Sequence, residues 1–222
     1  MPVVAASLAL AACSASHATS DAGPPEEFLG DGGAPDFDFL VLQADDTVTP
    51  LADGGSVPLI MPPQGGRVIF AGVRATNVDG AALQLTGALR DLKTRQVQFD
   101  SRTIELIPTG DGWGVSATAQ EPASSAIANF SNVPVCPNEW SSSDIFGNTY
   151  GLEVTIKDRR GRQLIKAIRV IPECGEPMNL AECLCMCKAG YVLGETCSSG
   201  KLDAAPPDAL PDGAASDAAT SP

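Results

Sequence analysis

Seven cysteines and one histidine are the residues of this 222-residue chain best equipped for chemistry. Cys13 stands alone near the amino terminus, with His17 just behind it. The other six are Cys136, Cys174, Cys183, Cys185, Cys187 and Cys197. A cysteine thiol can be alkylated, oxidised to a disulfide, or ionised to a nucleophile or metal ligand. Nucleophilic catalysis also needs a base, and the sole histidine, His17, sits in the expected tether, so no Ser-His-Asp or Cys-His set is expected in the folded part. The catalytic set is therefore empty, and the chain reads as a non-enzyme.

The run Cys183-Leu-Cys185-Met-Cys187 constrains the pairing. In an extended strand its three side chains share one face, and neighbours two apart meet disulfide geometry badly. Each then seeks a partner elsewhere, and three are available: Cys136, Cys174 and Cys197. Three bridges are the expectation in an oxidising compartment. A second arrangement joins Cys136 to Cys174 and forces one bridge inside the run. The rival chemistry is a thiolate metal site, since Cys-x-Cys spacing also serves zinc; disulfides are preferred, with no metal and no cofactor assigned.

Cys13 follows VVAASLALAA (residues 3–12), an apolar run too short to span a bilayer, which takes ~20 residues. Its length suits the apolar core of a signal peptide. Leu10-Ala11-Ala12-Cys13 resembles the lipobox of bacterial lipoproteins. That resemblance implies a signal peptide over 1–12, a diacylglycerol on the Cys13 sulfur and a further acyl chain on its freed amine. Two or more chains hold a protein stably at a membrane. Ser14 is similar to the residue of lipoproteins sorted to the outer membrane. No Lys or Arg precedes the apolar run, so the start codon is expected upstream.

The net charge of −13 is uneven. Residues 14–38 hold six acids and no Lys or Arg, and residues 199–222 hold Lys201 against four acids. Acidity of this kind solvates tails and opposes nucleic acid binding. Residues 13–36 read as a lipidated cysteine and disordered tether, with a reach of roughly 25–30 Å, and 199–222 as a disordered acidic tail. These Ala/Asp/Pro/Gly-rich segments resemble the tethers of myxobacterial lipoproteins.

Between the tails, short runs of β-formers are bounded by Gly, Pro, Asn or Asp: 37–43, 67–76, 81–92, 95–108, 112–118, 126–133, 151–158 and 163–172. That spacing predicts an all-β, antiparallel sandwich over 37–173. No segment shows a sustained helical period. The runs around Asp158-Arg159-Arg160-Gly161 form a hairpin, with the glycine supplying positive φ. This unit is similar to the closing hairpin of bacterial immunoglobulin-like domains, a likeness of fold that carries no functional residues. Residues 174–198 read as a disulfide-rich extension. Cys185-Met-Cys187-Lys-Ala-Gly190-Tyr191-Val-Leu-Gly-Glu-Thr-Cys197 resembles the carboxyl-terminal signature of EGF-like modules. That likeness implies a Cys187–Cys197 bridge, leaving Cys136 and Cys174 to Cys183 and Cys185 in either order.

Other chemical signals are weak. Gly65-Gly66 precedes a strand, not the helix of a phosphate loop. Asp45-Asp46 and Asp111 read as turn residues, and DGGAPDFD lacks EF-hand spacing. Two surfaces remain. The 137–148 loop carries Trp140, Ile145 and Phe146 as possible ligand contacts, although the preferred reading is that these side chains cap one end of the core. The basic hairpin, with Lys157, Arg159, Arg160 and Arg162, suits anionic headgroups or plain solvation. The expectation is a lipid-anchored outer-membrane protein, a non-catalytic binding or structural module. Its partners would be the membrane and an unidentified protein or glycan. The alternatives are an accessory glycan- or peptide-binding subunit and a metal-binding envelope protein.

Overall fold

The computed structural model describes residues 27–118 and 127–197. The lipobox, Cys13, His17, most of the tether and the 199–222 tail lie outside them. All eight expected runs contain a strand, and the chain forms the expected all-β, Ig-like two-sheet sandwich. The strands are β1 (Asp36–Leu42), β2 (Val48–Pro50), β3 (Gly55–Pro58), β4 (Arg67–Thr76), β5 (Leu83–Arg90) and β6 (Val97–Ile104), then β7 (Ile107–Pro108), β8 (Trp113–Val115), β9 (Ser131–Cys136), β10 (Tyr150–Lys157) and β11 (Gln163–Glu173). One short helix, α1 (Leu180–Met186), follows.

One sheet runs β2-β1-β4, and the far edge of β4 is shared: β9 pairs along residues 67–71 and β8, backed by β7, along 74–76. The other runs β3-β11-β10-β5-β6. Every pairing is antiparallel except β3 with β11, so the sandwich is not wholly antiparallel. Alternation explains the core. Ile69, Val73, Leu83, Leu85, Leu89, Val154 and Ile156 point inward and are fully buried. The β10–β11 hairpin pairs Lys157 with Gln163 around Gly161, whose φ is 78°, as the turn chemistry requires.

Both segments set aside as appendages belong to the fold. The tether reading fails for residues 27–36. Leu29 is buried and donates its N–H to the Val78 carbonyl at 2.9 Å, and Asp36 already lies in β1. Phe28, against Asp79, lies beneath Arg160 and Arg162, at 5.1 and 4.4 Å from the ring centroid. The 174–198 extension is pinned to the sandwich through Cys136, and its Cys183 and Cys187 are buried in the main core. Composition argued for a tether over 27–36; a few apolar side chains at the right positions outweighed it.

The two sheets approach closely beside β9. Gly87 donates its N–H to the Ser131 hydroxyl at 3.0 Å, and that hydroxyl donates to the Asp100 carbonyl at 2.9 Å. A Cβ on Gly87 would stand 2.7 Å from Ser131 Oγ and 3.0 Å from Val133 Cγ2. Gly87→Ala is expected to lower stability by about 2 kcal/mol, within the range for overpacked cores. Urea unfolding checks this, and a change under about 0.5 kcal/mol would show that the sheets do not meet as described.

Candidate functional site

The cysteines and the 137–148 loop, distant in sequence, meet at one end of the sandwich. Leu180-Ala-Glu-Cys-Leu-Cys-Met is rich in strong helix formers, and Pro177 opens the preceding turn. It folds as α1, not as the extended strand expected from the Cys-x-Cys-x-Cys spacing. On a helix, Cys183 and Cys187 share a face, and Cys185 lies about 200° round from Cys183. The bridges follow that geometry. Cys136 pairs with Cys187, Cys174 with Cys183, and Cys185 with Cys197. Each member of the run does find its partner outside it, but Cys187 bridges Cys136 and not Cys197, so the EGF-like pairing is overturned.

A helix of seven residues is too short to persist alone, where ~12–15 are needed. The bridges supply the missing constraint. Cross-linking loops of separation 51, 9 and 12 contributes, on chain-entropy grounds, about 4, 2.5 and 3 kcal/mol. The cap is then sewn to the loop by backbone hydrogen bonds, Asn138 N–H to the Met186 carbonyl and Ile145 N–H to the Cys187 carbonyl, both 2.8 Å.

The loop's apolar residues face inward. Ile145 is fully buried, Phe146 packs on the core, and Trp140 donates its Nε1–H to the Val135 carbonyl at 3.0 Å while its ring tilts against Tyr150. Trp140, Ile145 and Phe146 therefore cap the core and form no ligand surface. A shallow recess of about 240 Å³ beside Asp91, Lys93 and Tyr150 is smaller than ordinary small-molecule sites, ~300–1,000 Å³.

Asp91 anchors this loop. Its Oδ2 accepts from the Ser141 hydroxyl, the Ser142 N–H and the Ser142 hydroxyl at 2.9–3.1 Å, and Oδ1 accepts from the Lys93 and Thr94 N–H groups. Burial alone would raise the carboxyl, but these donors outweigh it and hold it well below the carboxylate range. The Ser141 hydroxyl also meets the Tyr150 hydroxyl at 2.7 Å. Asp91, Ser141 and Tyr150 are buried, and the carboxylate is saturated with donors, so its work is positional.

Two cations of the basic hairpin, at the opposite end, are paired with carboxylates. Arg159 Nε meets buried Asp79 at 2.7 Å, and Arg162 Nη2 meets buried Asp158 at 2.5 Å. With Arg160 over Phe28, these cations hold down the amino-terminal segment, while Lys157, Arg159 and Arg160 stay exposed. Asp45 caps Thr47, and Asp111 accepts from Thr109, Trp113 and Arg74, as turn residues do.

Two features escaped the sequence reading. Arg67, the first residue of β4, is fully buried beneath the cap. It donates to the Gly66 carbonyl at 2.8 Å and the Asn179 carbonyl at 3.3 Å, lies 3.9 Å from Glu182, and leaves Nε without a partner. Its cross-strand neighbour is Cys136. No sequence signal marked it, because a charge at a strand start normally reads as exposed. The second feature is a pair of exposed apolar side chains on the outer face of the β11-β10-β5-β6 sheet, Phe99 on β6 at 62% and Ile165 on β11 at 52%, with β5 and β10 between them. Here a signal existed. Val97 and Phe99 occupy odd positions, Ile104 and Leu106 even ones, and the first pair faces outward while the second is buried.

No protein-family model, curated protein or solved structure matches the chain.

Asp91→Asn is expected to cost about 2–3 kcal/mol at pH 7, because an amide NH₂ opposes donors that the carboxylate accepts. The folded carboxyl is depressed, so its contribution is complete above the unfolded value near pH ~4 and is lost as pH falls through the folded value. The gap between wild type and variant should therefore shrink below pH ~4. Urea titrations at neutral and acid pH test this; a gap unchanged by acid would show that the ionised carboxylate is not the anchor.

Proposed function

We propose that this is a lipid-anchored protein of the bacterial outer membrane, holding a non-catalytic binding or structural module off the membrane surface. One observation carries the reading. The three bridges use all six cysteines from residue 136 onward, and the seventh, Cys13, sits at the end of an apolar run in Leu-Ala-Ala-Cys. Three disulfides suit an oxidising compartment. The charged and polar clusters described above act as turn, anchor or closure groups, which supports a module that holds or binds without transforming. Intact mass of protein extracted from its native membrane should lack residues 1–12 and carry added lipid, and Cys13→Ser should move the protein into the soluble fraction. An unlipidated, soluble wild type would overturn the proposal.

A glycan- or peptide-binding role is the second reading, and it rests on Phe99, not on the buried Trp140. An exposed aromatic on an open sheet face, with Thr155 and the mutually bonded Thr86 and Ser101 hydroxyls in the neighbouring row, offers a stacking platform and polar partners. A glycan array comparing wild type with Phe99→Ala tests it. Binding that Phe99→Ala leaves intact, or no binding above background, rejects this surface.

A further inference from the structure

Three of the bridged sulfurs, from Cys174 just after β11, Cys183 in α1 and Cys187 at its C-cap, lie within 4.8 Å of one another under the cap, and a fourth, Cys136 at the end of β9, is bonded to Cys187. Cys183 and Cys187 are one helical turn apart, and their Sγ atoms lie 4.0 Å from each other although they belong to different bridges. Cys174 Sγ joins them within 4.8 Å, and Cys136 Sγ is bonded to Cys187. A tetrahedral Cys₄ zinc centre places its sulfurs about 3.8 Å apart. Breaking the two S–S bonds would let each bonded pair relax outward toward that spacing, with the metal taking over the constraint on α1 that the bridges supply. Cys136, Cys183 and Cys187 are buried, so the site is also screened from water.

Arg67 points the same way. A zinc tetrathiolate carries a net charge of −2, and buried charge is costly unless it is compensated. In the bridged form the guanidinium is fully buried on carbonyl oxygens, with a partnerless Nε and a carboxylate no nearer than 3.9 Å. Its strand neighbour is a would-be ligand, Cys136. A cation so poorly neutralised in the oxidised protein is well placed to offset a thiolate cluster in the reduced one.

We propose that reduction of the Cys136–Cys187 and Cys174–Cys183 bridges converts the cap into a zinc site with Cys136, Cys174, Cys183 and Cys187 as ligands and Arg67 as the compensating charge. The reductant is a dithiol. Two dithiol molecules each deliver two electrons and two protons, yielding four protein thiols and two oxidised dithiols. Zinc then displaces four protons to form four Zn–S bonds. Cys185 and Cys197 stand outside the set, on the other side of α1.

The test uses the full chain, reduced without oxygen by a water-soluble phosphine in place of the dithiol and titrated with Co²⁺ and then Zn²⁺. The expected result is one metal per chain, the charge-transfer and visible bands of tetrathiolate cobalt, and four thiols shielded from a thiol reagent. The Cys185→Ser/Cys197→Ser double variant should keep this spectrum, whereas Cys174→Ser should lose it and bind at least tenfold more weakly. Arg67→Met should weaken Zn²⁺ binding about tenfold while keeping the spectrum. Loss of binding in the Cys185→Ser/Cys197→Ser variant would overturn the assignment. So would a reduced chain that shows no tetrathiolate bands, or one that unfolds and is not restored by the metal.

Discussion

Two apolar sheet faces laid together leave two lateral edges and two ends through which water could enter, and this molecule is organised by how each opening is closed. Along one edge the Ser131 hydroxyl and the Asp100 carboxylate bind β9 to β6, with the Asn132 N–H donating to Asp100 Oδ2 at 2.9 Å. Along the other, the chain itself crosses from β2 to β3, and Lys166 reaches from β11 to Asp36 and to the Phe37 carbonyl. Each closure is polar where backbone groups would otherwise lie buried without partners, a condition costing about 1–3 kcal/mol per group.

The two ends use different chemistry. At the hairpin end, the 27–30 segment pairs with 78–80, and the carboxylates of Asp79 and Asp158 are neutralised by Arg159 and Arg162. At the cysteine end, a seven-residue helix and a long loop are bound to the sheets by disulfides and by Asp91. The first closure is made by groups that form as the strands pair. The second depends on oxidation, because α1 has too few residues to persist without cross-links. That dependence makes the cap the part of the molecule most responsive to the redox state of its surroundings.

Under the proposed anchoring, the two ends also have different neighbours. The tether enters the fold at residue 27, at the hairpin end, whereas the disulfide cap lies at the opposite end. The outer sheet face bearing Phe99 runs between them and stays open to partners. A domain built this way separates attachment, redox chemistry and surface contact onto three regions of one small sandwich.

The strand runs, the hairpin around Gly161 and the even set of six cysteines were all legible in the residues themselves, because alternation, turn chemistry and residue type are read over a few neighbouring positions. The cap was not. Cys183-Leu-Cys185-Met-Cys187 is compatible with a strand, which aligns all three thiols, and with a helix, which divides them. Only packing under β9 and the Trp140 loop selected the helix and with it the pairing. The same holds for Trp140, Ile145 and Phe146, whose apolar character fits a ligand surface as well as a core lid until the neighbours are in place. Burial of Arg67 and the outward phase of Phe99 likewise rest on which elements lie opposite. Sequence alone determined the β class, the turns and the cysteines available for bridging, since those are local properties. Tertiary structure decided which cysteine meets which, and which apolar residues see water, since those depend on how separate segments pack, as where the Cys136–Cys187 bridge spans 51 positions.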